Sequence, residues 1–326
     1  MAKILRVFTL ILLVFSVIGC SESEELKKYT ISGFAQGTTY SIVYLDTKES
    51  VKKSFISKNL SDFDRSCSLY NPASLINKIN SGETDSLDAN IENCIQIAEI
   101  ISKESDGLYD ITVKPLVEAY GFAAKEGLES INIDSLMQYV GYQKLSVDSG
   151  RLIREKGVEI DLNSIAQGYS VDFIAAKFDS LAIENYLIEI GGEIFCRGKN
   201  ARGENWNIGI DKPIDGNFSP GENLQTIIAL ESGRGLATSG NYRKFHIDKD
   251  GNRVNHTVNP LTGESSTTQV LSATIIASSA ALADGYATAI MAMGVEKGIE
   301  FLQSNPQLQA YIVYSEGDEN LVFEQL

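Results

Sequence analysis

The chain has few of the residues that would tie it together covalently. Its 326 residues include four cysteines, six prolines, two histidines and one tryptophan. Beyond Cys20 the cysteines are Cys67, Cys94 and Cys196, an odd set with no pair at CxxC spacing. Such a set indicates neither a disulfide framework nor a zinc site. Positive charge is also scarce, 28 Lys and Arg against 43 Asp and Glu, for a net charge of −15. With no basic stripe to neutralise phosphates, nucleic acid is not a partner to expect. The apolar run from Val7 to Ile18 spans about twelve residues, short of the roughly 20 that cross a bilayer.

That run nevertheless has neighbours that give it a meaning. Lys3 and Arg6 precede it, and "VIGC" ends it at Cys20. A positive start, a short apolar segment and small residues before a cut are the layout of a secretory signal. Residues 1–19 therefore read as a signal peptide. Cys20 after "VIG" resembles the bacterial lipobox, in which that cysteine becomes the lipid-modified N-terminus. Residues 20–28, with the acidic "SESEE", read as a lipidated end and solvated linker. The expected location is extracytoplasmic, on the periplasmic face, with the membrane reached through the lipid anchor alone.

The body from 29 to 326 is 43% hydrophobic across the whole chain's composition and shows no internal linker, so a single domain is expected. "TTYSIVYL" (38–45) alternates as a strand, residues 49–66 read as a helix, and 89–107 places Ile91, Cys94, Ile95 and Ala98 on one helical face. "GVEIDL" (157–162) reads as a strand running into a helix over 164–178. Strand patterns follow at "NYLIEI", "WNIGID", "LQTIIAL" and "SATIIAS", with hairpin signals at 248–253 and around "EGDEN". The order predicts an α+β fold with a largely antiparallel mixed sheet and packed helices.

Candidate chemistry begins in "ASSAALADGYATAIMAMG" (277–294), whose only charge is Asp284. A lone buried carboxylate costs several kcal/mol unless paired. Thr288 stands one helical turn on, so a carboxylate and a hydroxyl share one face, half of an oxygen site for Mg²⁺ or Ca²⁺. The alternative is that Thr288 bonds back to its own helix and Asp284 lies at the surface. "DLNSIAQGYSVD" (161–172) joins strand to helix through small polar residues, a junction whose amides suit a phosphate, or merely a cap. "EIGGEI" offers glycines for close approach or a bulge. "GLATSGNYRKF" places Ser239, Asn241 and Arg243 after a glycine-flanked turn, the last a phosphate ligand or a surface ion-pair partner. His256, before an Asn-Pro turn, is a candidate general base, whereas His246 fits a strand surface.

Taken in order, "AQGTTYSI", "FDRSCSLYNPASLINKIN", "DGLYDITVKPL", "IDLNSIAQGYSVD", "YLIEIGGEIFCRG", "LATSGNYR", "HTVNPLTG" and "ALADGYATAIMAMG" resemble the ApbE family of FAD:protein FMN transferases. The resemblance runs from about Phe34 to Gly294. It implies a Mg²⁺-dependent enzyme that takes FAD as substrate, joins FMN by a phosphoester to a threonine or serine of an acceptor flavoprotein, and releases AMP. It implies a metal held by Ser164, Asp284 and Thr288. It implies FAD lined by Gln36, Tyr70, Leu108, Tyr109, Asp110, Asp161, Gln167 and Val258; as general base Asp161 stands second to His256. By the same resemblance the acceptors are subunits of sodium-pumping NADH:quinone reductase or Rnf-type complexes. Two positions depart from the family: Gln36 stands where methionine is usual, and Gln167 where lysine or glutamate is. If the family's charged residue there helps position the FAD pyrophosphate, a lysine at 167 would tighten FAD; otherwise it would repel Mg²⁺ and raise the Mg²⁺ requirement. An FAD pyrophosphatase and a non-catalytic flavin-binding lipoprotein are the alternatives, separated from the transferase by AMP release and by FMN on an acceptor.

Overall fold

The computed structural model describes residues 25–122, 132–213, 221–241, 245–247, 253–266, 268–316 and 321–326. The proposed signal, Cys20 and Arg243 lie outside these residues, as does the side chain of His246. Strands β1 (Lys27–Ala35) and β2 (Thr38–Asp46) lead into helices α1 (Lys53–Cys67), α2 (Leu75–Asn80) and α3 (Ala89–Glu104). The short helices α4 (Lys114–Ala119) and α5 (Ile133–Met137) and the hairpin β3 (Leu145–Asp148) and β4 (Arg151–Arg154) precede α6 (Ala166–Ser180). Then come β5 (Asn185–Ile190), β6 (Glu193–Arg197), β7 (Trp206–Asp211), β8 (Leu224–Leu230), β9 (Arg234–Gly240), β10 (Phe245–Ile247), β11 (Arg253–Asn255) and β12 (Val270–Ala277). The chain ends in α7 (Ala280–Met293), α8 (Val295–Ser304), β13 (Gln309–Ser315) and β14 (Leu321–Gln325).

Eight strands form one sheet in the order β1-β2-β5-β6-β9-β12-β13-β14, antiparallel at every pairing. The α+β class and the antiparallel character expected from the sequence are both present. Alternation sorts the sheet's two faces. On β6, Phe195 joins the core built with α1 and α6, whereas Ile194 and Cys196 point to the opposite core beneath the β7–β8 hairpin. On β12, Ala273, Ile275 and Ala277 pack with α3 and α7, and Ile276 faces the hairpin side. Helices therefore cover one face, and the strand ends beside α6 and α7 are left to build a site.

Two stretches differ from their sequence reading. Residues 157–162 form no strand. The Asn80 side chain donates to Ile160 O and accepts from Ile160 N, both at 2.8 Å, so one side-chain amide replaces a strand partner. "GLATSG" is no turn but the central strand β9, and Ser239 lies near its end. The glycine that hides the strand, Gly235, is required because a Cβ there would run into the backbone of Ser279 and Ala280. Both expected hairpins pair through their flanks, β10 with β11 and β13 with β14, while their tips lie outside the described residues. Among the described residues no helix is long and apolar enough to cross a membrane.

Candidate active site

The site is built on the start of α7. Ser279 accepts from Leu282 N at 3.1 Å, and Asp172 of α6 accepts from Ala280 N and Ala281 N at 2.9 and 2.8 Å. Side chains thus satisfy donors that a helix start leaves open, and they fix where α7 begins. Asp172 pays for this position by burial, which pushes its carboxyl up to about 6 against the three hydrogen bonds that favour the anion. Cys94 and Tyr169 are the titratable groups facing it. Its folded value lies above the ordinary 3.8, so the stability it contributes is fully present below that value and is lost as pH rises through 6. We expect Asp172→Asn to lack this term. Urea midpoints at pH 4.5 and 7.5 should show the parent losing about 2 kcal/mol relative to the variant; a pH-independent difference would reject the assignment.

One turn into α7, Asp284 is 7% exposed, which overturns the surface alternative. Its Oδ2 accepts from Gly168 N at 3.1 Å, in the first turn of α6. The carboxylate therefore sits at the positive end of a fifteen-residue helix, which answers part of its burial cost. Thr288, the next turn along, meets Ser239 of β9, hydroxyl to hydroxyl at 3.3 Å. Ser164, just before α6, donates to Tyr109 Oη at 3.0 Å.

A residue that the sequence reading passed over completes this wall. Glu193 opens β6, is 9% exposed, and its carboxyl is held well above the usual range by burial and then by the charge of Asp284. Gln167 donates to Glu193 Oε2 at 2.6 Å and to Ile190 O at 3.2 Å. Those two bonds use the amide's two protons and tie Gln167 to the β5–β6 turn. A lysine at 167 would meet the Glu193 carboxylate as well as the cavity that both residues line. Gly191, with φ +67°, leaves the space the Gln167 amide fills, which is why the "GG" pair is a tight turn and not a bulge.

All twelve candidate residues of the described chain, Gln36, Tyr70, Leu108, Tyr109, Asp110, Asp161, Ser164, Gln167, His256, Val258, Asp284 and Thr288, line one cavity of about 1020 Å³. That volume is at the upper end for ligand pockets, of order 1,000 Å³. Tyr70 stands at its mouth, 64% exposed. His256 meets Phe122 edge to face, centroids 6.2 Å apart. Asp161 and Asp110 are buried, and burial raises both carboxyls. Asp110 accepts from Thr112 N, Thr112 Oγ1 and Tyr142 N at 2.7, 2.6 and 2.6 Å, so both its oxygens already hold the surrounding loop. Asp161 accepts from Asn163 N at 2.8 Å and shapes the turn into α6.

The side chains of Asp284, Thr288 and Ser164, which line one cavity, offer only oxygens, the set a hard divalent cation takes. Among the described residues no three His, Cys, Asp or Glu side chains converge. A single carboxylate with hydroxyl or carbonyl oxygens fits Mg²⁺, which is commonly held by one or two carboxylates together with substrate phosphates.

The ApbE family profile matches residues 36–312. An FAD:protein FMN transferase of Haemophilus influenzae is 30% identical over 96% of this chain and 93% of its own length. One from Vibrio cholerae is 31% identical over 88% of this chain and 87% of its own. Among solved structures, the flavin transferase ApbE from Vibrio cholerae superposes with a TM-score of 0.79 at 28% identity, covering 92% of this chain and 97% of that one. The apo flavinyl transferase ApbE of Pseudomonas stutzeri gives 0.81 at 30% identity, covering 92% and 95%. With the profile spanning most of the chain and the fold shared almost end to end, the protein belongs to the ApbE family.

Proposed function

We propose that the cavity binds FAD and that the protein transfers FMN from it to a hydroxyl of an acceptor flavoprotein, releasing AMP. The observation that carries this reading is the convergence of eight separated sequence motifs on one cavity, in a chain of the ApbE family. Tyr70 at the mouth offers a ring face for the flavin. Asp284, Thr288 and an oxygen of Ser164 would hold Mg²⁺, which when bound supplies neutralisation of the pyrophosphate charge. The new bond joins the acceptor oxygen to the FMN phosphorus, the bond from that phosphorus to the bridging oxygen breaks, and AMP leaves with that oxygen. His256 on the cavity wall takes the hydroxyl proton in this reading, with Asp161 as the other candidate.

Acceptors of the sodium-pumping NADH:quinone reductase or Rnf type, meeting the enzyme at an extracytoplasmic membrane face, fit a lipid anchor at Cys20. The decisive measurement incubates the protein with FAD, Mg²⁺ and an acceptor fragment, then seeks the mass of FMN on a threonine or serine. Free FMN and AMP without modified acceptor would establish hydrolysis instead; flavin binding with no AMP would leave only a binding protein. For the anchor, Cys20→Ser is expected to move the protein from the membrane to the soluble fraction with its AMP release intact. Retention in the membrane after signal cleavage would reject lipidation at Cys20.

A further inference from the structure

Gln36 and Gly37 form the two-residue turn between β1 and β2, with Ala35 and Thr38 the last paired residues. Both have positive φ, +53° and +74°. That turn matches the twist of the flanking strands and favours Asn, Asp or Gly at its first position. Gly37 takes it freely, whereas a glutamine in the left-handed region costs roughly 1–2 kcal/mol. The compensation lies in where the side chain goes. Gln36 Oε1 accepts from Ser170 of α6 at 3.0 Å. Burial raises the carboxyl of Asp64 on α1 and the Gln36 amide opposes that rise, which favours its NH₂ end on the Asp64 side and leaves Oε1 for Ser170. Ser170 has one proton and a competing acceptor, Gln167 O at 2.7 Å, so the fixed amide decides whether that proton is shared with the turn.

We infer that Ser170 is a positioning residue that latches Gln36 to α6, holding the β1–β2 turn in place as a wall of the flavin cavity. The inference rests on the proposed FAD site. Gln36, Gly37, Thr38 and Asp64 line the cavity, while Ser170 is fully buried and lies outside its lining. A methionine at 36, usual where this family resemblance is concerned, has no amide to make this bond. The latch thus ties the turn to the same helix whose first turn meets Asp284.

The test measures equilibrium FAD binding, with Mg²⁺ present, by the parent, Ser170→Ala, Gln36→Gly and the double variant. Each single change should weaken FAD by about five- to tenfold, the size expected for one lost hydrogen bond. The double should be no weaker than the weaker single, because both remove one interaction. Gln36→Gly should melt no lower than the parent, since it relieves the turn. Parental FAD affinity in Ser170→Ala would overturn the latch and leave Gln36 as a direct contact; so would additive losses. Amide hydrogen exchange at Gly37 and Thr38 without flavin supplies a second readout, faster in Ser170→Ala if the latch exists and unchanged if it does not. A parent that fails to bind FAD would refute the functional reading alone, since the exchange measurement needs no ligand.

Discussion

Replacing Asp284 by asparagine is expected to reduce AMP release by about a thousandfold while leaving the protein folded. Asparagine keeps an oxygen for Gly168 N–H, so the bond that joins α7 to the first turn of α6 survives. What disappears is charge. The other proposed ligands, Ser164 and Thr288, are neutral, and a cation there would lose its only charged protein ligand. A loss of about 4 kcal/mol of transition-state stabilisation, in the range for removing a preorganised electrostatic partner, corresponds to that factor. Stability should not fall, because burying the carboxylate has a cost and its field opposes ionisation of Glu193. Initial rates across a Mg²⁺ titration, with thermal melts alongside, check both halves. Near-parental rates would remove Asp284 from the metal reading. Alanine is the less informative change, since it also strands the Gly168 N–H.

The parts of this site that a sequence exposes are those with local periodicity. Asp284 and Thr288 could be paired on one face because helical spacing is local and no other charge stands in 277–294. Glu193 escaped notice for the complementary reason. An acid at the start of a strand reads as solvent-facing, and its burial comes from α6 and α7, remote in sequence. The same holds for the strand that is absent at 157–162, where Asn80, eighty residues away, takes the place of a strand partner. β9 was hidden by Gly235, whose requirement is the backbone of α7 beginning 45 residues later. Gln36 and Gln167 could be recognised as departures from the family pattern, but not assigned partners. In each case the missing information is a contact between distant segments.

One such contact gives the second large effect. Gly168 is the third residue of α6, and a Cβ built on it would stand 2.5 Å from Ala280 O and 2.8 Å from Asp284 Cβ. Ala280 O belongs to a capped helix start held by Asp172, so it cannot rotate away as a side chain could. Gly168→Ala must therefore push α6 and α7 apart by several tenths of an ångström or more. Overpacking of this kind costs about 1–3 kcal/mol, partly offset by the roughly 1 kcal/mol that alanine gains over glycine in a helix. The net change in stability is small. The displacement falls on Asp284 and on its bond to Gly168 N, where misplacement by about 1 Å is enough to cost on the order of 100-fold in rate. We expect AMP release to fall by about that factor while the melting temperature drops by only a few degrees. Gly285→Ala, one residue beyond Asp284, is the control. Its Cβ would meet the end of the Ile101 side chain, which can turn aside, so activity should remain within a few-fold of the parent. Equal losses in the two variants would show that the rate follows general packing of α7. A large loss confined to Gly168→Ala would tie it to the contact that places Asp284.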